Sequence, residues 1–202
     1  IRLSLRMGRD LAHRWRHYLL DAPEEVGGMN LPMVAMVGVN EELGRTAVPY
    51  TLPPDSPNLR MMMVAADERQ REAYLAPYVR GETISAIGIS EPGAGADPAR
   101  MTTSAVQDGD DWIINGRKIW ITKAAEADFT ILMAVTDPDA PPHQRASMII
   151  VPTETPGFNL VRNVSVMGHA GSGHASHGEV IYQSCRVPRS NERPAATLCM
   201  RR

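Results

Sequence analysis

The 202 residues predict an α+β chain, a helical segment followed by a β-barrel or sandwich. Three observations carry that expectation. Proline, acidic residues and glycine punctuate the first part as they punctuate helices. After Gly81, short β-branched and aromatic runs alternate with turn residues. An Asn-Gly pair also stands between two such runs. The expected segments are 1–83 helical, 84–190 β, and 191–202 a tail or a truncation.

In chain order, Pro32 opens an apolar run, Met33 to Val39, that leads into Asn40-Glu41-Glu42-Leu43-Gly44. Pro32 suits a first helical position, Glu41 pairs with Arg45 one turn on, and Gly44 serves as an end cap. Residues 49–58 hold Pro49, Pro53, Pro54 and Pro57 and read as loop. Asp67 to Arg80 reads as a second helix, acidic at its start, with Arg80 in its last turn and Gly81 as its stop. Strands are expected at Ile84–Ile89, Trp112–Ile114, Arg117–Thr122, Phe129–Val135, Ser147–Val151 and Glu179–Gln183. Asn115-Gly116 is expected to form a type I′ hairpin turn, because both residues tolerate positive φ.

Composition removes several functions. Hydrophobic residues at 43% and charged residues at 22% are ordinary for a globular chain. A net charge of −2 lacks the basic excess of a dedicated nucleic-acid binder. No apolar run reaches the roughly 18 residues needed to cross a bilayer. Cys185 and Cys199 are too few for a disulfide framework or a zinc ribbon, which fits a reducing compartment. Arg2, Arg6, Arg9, Arg14 and Arg16 face one acid, Asp10, and admit either a targeting segment or a solvated helix face. A cytoplasmic location is expected, with a mitochondrial one left open by that arginine-rich start. The opening Ile1 and closing Arg201-Arg202 suggest a piece of a longer protein.

Two stretches are candidates for chemistry. In Ile87-Gly88-Ile89-Ser90-Glu91-Pro92-Gly93-Ala94-Gly95-Ala96-Asp97, a strand runs into a loop of nearly bare backbone. Bare backbone lets N–H groups approach an anion, although the same composition also suits a plain tight connection. Pro98 at the third glycine position departs from a dinucleotide fingerprint, and no Lys-Ser/Thr pair makes a Walker loop. In Lys118-Ile119-Trp120-Ile121-Thr122, strict alternation places Trp120 and Thr122 on one face and Ile119 and Ile121 on the other. An indole beside a hydroxyl suits a flat heteroaromatic ring; a core tryptophan next to a β-former is the plainer alternative.

Taken together, these stretches resemble the acyl-CoA dehydrogenase flavoproteins. Ser90–Asp97 is similar to their Thr-Glu-Pro-Gly-Ala-Gly-Ser-Asp segment, and Asn115–Thr122 to their Asn-Gly strand pair ending in Trp-Ile-Thr. Pro156-Gly157, Arg186-Val187-Pro188 with Asn191, Asn40–Arg45 and Arg80-Gly81-Glu82 add to the resemblance, which spans about Gly27 to Asn191. It implies a partial N-terminal helical domain and a middle β-domain with a flavin-binding face. It also implies that the family's C-terminal helical domain is absent.

The resemblance implies FAD as cofactor, an acyl-CoA thioester as substrate, and α,β-dehydrogenation with hydride transfer to flavin. For the full-length parent it implies electron-transfer flavoprotein as partner and a homo-oligomer. Ile87, Gly88, Ile89 and Ser90 would line the flavin. Gly93, Gly95 and Ala96 would lie by the FAD pyrophosphate, with Ala96 also by the substrate. Trp120 would cover the ring, beside Ile121, and Thr122 would reach toward it. A flavin oxidase or monooxygenase on the same fold, or a non-catalytic FAD- or acyl-CoA-binding module, are the alternatives.

Three departures accompany the likeness. Ala96 replaces a common serine and loses a hydroxyl contact, Ile87 replaces an often aromatic residue, and Ser90 replaces threonine. The family's proton-abstracting glutamate lies in the C-terminal domain, and none of Glu91, Glu126 or Glu179 matches it, so the chain alone is expected to be inactive. His169, His174, His177 and Glu179 fall within a glycine-rich stretch and suggest a metal cluster. Ordering so flexible a loop is costly, and similar stretches in relatives serve as loop, so no metal is expected.

Overall fold

The computed structural model describes residues 20–45, 56–168 and 176–194. The arginine-rich start, His169, His174 and Cys199 lie outside them. Two compact units divide the chain, 1–84 and 85–202.

In the first unit, α1 (Met33–Gly44) begins after Pro32, which sits at the N-cap rather than inside the helix. Arg45 pairs with Glu41 at 3.2 Å, as the spacing predicts, and also with Glu42 at 2.9 Å. Gly44 is the last helical residue and Arg45 follows in right-handed geometry, so no glycine cap forms. The loop expected over 49–58 gives way at Ser56, where α2 (Ser56–Ala65) starts. Pro57 falls in its first turn, where a proline's missing N–H has no partner to lose.

The second predicted helix is α3 (Glu68–Gln70), a π turn (Arg71–Leu75) and α4 (Ala76–Val79). Asp67 caps it in a capping box, accepting from the Gln70 N–H at 2.8 Å while Gln70 Oε1 accepts from the Asp67 N–H. The π turn lies just ahead of Pro77, whose ring would otherwise crowd the carbonyl one turn back. Gly81 stops the segment at φ +71. No helix among the described residues is long and apolar enough to cross a membrane.

Among the described residues, the second unit is one eight-stranded mixed sheet curled around an apolar core. Its strands are β1 (Ser85–Gly88), β2 (Ser104–Asp108), β3 (Asp111–Thr122), β4 (Phe129–Val135), β5 (Ala146–Pro152), β6 (Phe158–Asn163), β7 (His177–Pro188) and β8 (Glu192–Pro194). The order is β6-β7-β3-β2-β4-β5-β8, with β1 parallel to β4. Inward residues of β1–β5 and β7 form the core, including Ile114, Leu132, Ile149, Val180 and Tyr182. The expected α+β class is therefore met.

The hairpin expected at Asn115-Gly116 does not form. Both residues lie inside β3, and the turn falls earlier, at Gly109-Asp110, between the paired Asp108 and Asp111. Gly109 takes φ +62 there. Asn-Gly marks two other constraints. Asn115 Oδ1 accepts the Ser184 N–H at 2.8 Å, where the β3–β7 register shifts. A Cβ on Gly116 would lie 2.6 Å from Thr103 Cα, so only glycine lets that backbone approach.

Candidate functional site

At the end of β1, Ile87 lies opposite Ile131, and Gly88 packs near Ile121, Leu132 and Lys118. The chain then leaves the sheet but stays tied to β3. The Ile119 N–H donates to Ser90 O at 3.0 Å, and Lys118 Nζ donates to Ile89 O at 2.9 Å. Glu91 and Ala94 exchange two backbone hydrogen bonds, of 3.0 and 3.1 Å, so Pro92-Gly93 forms the tip of a tight turn. A Cβ at Gly93 or Gly95 would meet nothing within 4 Å, and Ala96 is exposed. Asp97 then caps a 3₁₀ turn, Pro98–Arg100, accepting the Ala99 N–H at 3.0 Å.

Beneath the loop lies an ion pair that the sequence reading missed. Glu91 is buried, and Lys118 is fully so. Their side chains meet at 2.9 Å. Glu91 also accepts from Thr102 N and Thr102 Oγ1, both at 2.8 Å, and from Thr103 N at 2.9 Å. Burial pushes the Glu91 carboxyl up, but the hydrogen bonds from Thr103, Thr102 and Lys118 outweigh it and hold it at about 2. Burial lowers the Lys118 ammonium from its ordinary value, and Glu91 partly offsets that. A lysine within an apolar strand was the available signal; its partner, in a loop far back in sequence, was not legible.

The alternation expected over Lys118–Thr122 is broken by a β-bulge. Lys118 pairs with Val180 and Ile121 with Gly178, so Ile119 and Trp120 together face Glu179. Trp120 takes φ +66, uncommon for a residue with a side chain. Lys118, which strict alternation puts on Trp120's face, turns inward and lies with Ile121 against Gly88. Trp120 is 50% exposed, which removes its alternative reading as a core residue; Trp112 fills that role at 6%. Thr122 is exposed as well, and its Oγ1 lies 3.1 Å from His177 Nδ1.

The remaining carboxylates singled out in the sequence are engaged elsewhere. Glu179 is buried between Arg117 and Arg162, the latter at 2.6 Å. Glu126 accepts from Ser176 Oγ at 2.8 Å. No cluster of metal-ligating side chains occurs among the described residues.

The arrangement is thus a bare, anchored loop beside an exposed indole and a hydroxyl on an adjoining bulged strand. Family models match most of the chain: the acyl-CoA dehydrogenase N-terminal domain over residues 17–82 and the middle domain over residues 86–185. The chain belongs to the acyl-CoA dehydrogenase family, a family of flavoprotein oxidoreductases. It is 38% identical to (R)-benzylsuccinyl-CoA dehydrogenase of Thauera aromatica, over 74% of this chain and 38% of that protein. It is 34% identical to the mitochondrial short-chain specific acyl-CoA dehydrogenase of Homo sapiens, over 85% of this chain and 42% of that one. The crystal structure of an acyl-CoA dehydrogenase from Geobacillus kaustophilus superposes with a TM-score of 0.75 at 32% identity, covering 95% of this chain and 52% of the other. The chain therefore spans well under two thirds of the length of these relatives.

Proposed function

We propose that this chain supplies one wall of the FAD site of an acyl-CoA dehydrogenase, and that the parent protein removes two hydrogens from Cα and Cβ of an acyl-CoA thioester. The observation that carries the reading is Trp120, held half-exposed by a strained bulge beside a loop whose glycines leave its backbone open. These residues fit FAD. The loop at Gly93, Gly95 and Ala96 offers backbone N–H groups to a pyrophosphate, with Ala96 also beside the thioester. Trp120 offers a flat apolar surface to an isoalloxazine ring, next to Thr122 as a hydrogen-bonding edge. Ile87, Gly88, Ile89 and Ser90, at the end of β1, are the further residues proposed to line the flavin, and Ile121 is buried in the strand between Trp120 and Thr122.

The chemistry that FAD supplies when bound is acceptance of a hydride from the acyl chain. The residues of this chain bind, orient and exclude water. Glu91, Glu126 and Glu179 are each committed to internal bonds, and proton removal is proposed to fall to another carboxylate of the parent protein. Electron-transfer flavoprotein is the proposed acceptor of the electrons, and a homo-oligomer the proposed assembly of the parent.

The test is an FAD titration of the purified chain, following flavin fluorescence and melting temperature. Saturable quenching is expected. FAD at about 100 times its dissociation constant adds roughly 2.7 kcal/mol to stability. Absence of saturable binding by a folded chain would refute the flavin wall proposed here.

A further inference from the structure

The last register pair of the β3–β7 ladder is Thr122 opposite His177. Directly opposed residues share a sheet face, and here their side chains meet, Thr122 Oγ1 to His177 Nδ1 at 3.1 Å. The backbone around His177 is held on both sides: Lys123 N–H donates to Ser176 O at 3.0 Å, and Val164 N–H to His177 O at 2.6 Å. The imidazole thus rises from a fixed position. The threonine hydroxyl, by contrast, is a free rotor with one hydrogen and two lone pairs.

Which of these Thr122 turns outward depends on the ring. If Nδ1 is unprotonated, Thr122 donates to it and presents only lone pairs to a ligand. If Nδ1 carries the hydrogen, it donates to Oγ1, and the hydroxyl hydrogen is released toward a ligand. N1 and N5 of an oxidised isoalloxazine carry no hydrogen and accept, whereas N3–H donates; toward N1 or N5 the second arrangement is the useful one.

Resting on the flavin reading above, we propose that His177 is a positioning residue: its Nδ1–H orients the Thr122 hydroxyl so that it donates to bound FAD. The role is carried through Thr122, two residues beyond Trp120 on the same exposed side. It accounts for a histidine at this register position without a metal.

The test compares His177→Phe, His177→Asn, His177→Gln, Thr122→Val and the Thr122→Val/His177→Phe pair in the full 202-residue chain. FAD is the probe, and melting temperature reports folding. A lost hydrogen bond of ordinary strength weakens binding about five- to tenfold. His177→Phe and Thr122→Val are each expected to show that loss, with the same shift in the visible bands of bound flavin, and the double variant to be no worse. His177→Asn places an amide nitrogen near the position of Nδ1 and is expected to restore affinity to within about twofold. His177→Gln places it one carbon further out and is not.

Wild-type affinity in folded His177→Phe alongside weakened Thr122→Val would overturn the positioning role and leave the flavin wall intact. Additive losses in the double variant, or equal behaviour of the Asn and Gln variants, would overturn it too. Failure of the wild-type chain to bind FAD would overturn the flavin reading itself, and this role with it. In the flavin-free chain, the ring ¹⁵N signals of His177 are expected to move in Thr122→Val; unmoved signals would refute the contact independently of any ligand.

Discussion

Replacing Lys118 with Met removes a buried cation while retaining most of its side-chain bulk against Ile121 and Gly88. Two charge-assisted hydrogen bonds disappear, both 2.9 Å long, one to Ile89 O and one to Glu91 Oε1. Breaking a buried pair by deleting one partner costs about 3–5 kcal/mol, chiefly because the other charge is left behind. Glu91 keeps three bonds from Thr102 and Thr103, which places the expected cost toward the lower end, about 3 kcal/mol. For a chain of this size, that lowers the melting temperature by about 6–12 °C. The assay is thermal and denaturant unfolding followed by circular dichroism, with Glu91→Gln/Lys118→Met as the companion. The companion lacks the stranded carboxylate and is expected to recover half or more of the loss. A single-variant cost under about 1 kcal/mol, or simple additivity in the double, would refute the view that this pair fastens the loop to the sheet.

Three further outcomes are expected. Glu91 titrates at about 2 when folded against an ordinary 4.5, so its contribution is complete above 4.5 and disappears as pH falls from 4.5 through 2. That is worth about 3 kcal/mol at most, and urea midpoints measured down this range should fall less steeply in Glu91→Gln. Gly116→Ala drives a methyl into Thr103 and should cost about 2–3 kcal/mol by denaturant titration, whereas Gly93→Ala should stay within about 0.5 kcal/mol. Trp120→Gly relieves about 1 kcal/mol of left-handed strain, so unfolding should show stability near wild type while FAD affinity falls.

The class of the fold was legible because it depends on local signals, and the same signals singled out the two stretches of the candidate site. The acidic residues from Asp67 announce a helix start, and β-branched runs announce strands. β2 and β6 were not expected: Ser104–Asp108 carries few strand-forming residues, and Phe158–Asn163 is largely exposed and half polar, with Asn159, Arg162 and Asn163. Asn-Gly misled because positive-φ tolerance and close approach serve a bulged strand as well as a turn. Periodicity likewise failed at Lys118, since a single inserted residue in β3 reverses which side chains face inward. The Glu91–Lys118 and Thr122–His177 contacts depend on register and on distant partners, and no local pattern encodes either.

The way the loop is fastened bears on attempts to transplant it. The segment Ile87–Asp97 looks portable, a short motif with its own turn. Half of what shapes it, however, is supplied by Lys118 from below, by Ile119 alongside, and by Thr102 and Thr103 where the chain returns. A graft of the eleven-residue segment onto another sheet would carry the letters without the geometry. A working exchange between homologues has to move the loop, the threonine pair and the lysine as one cassette.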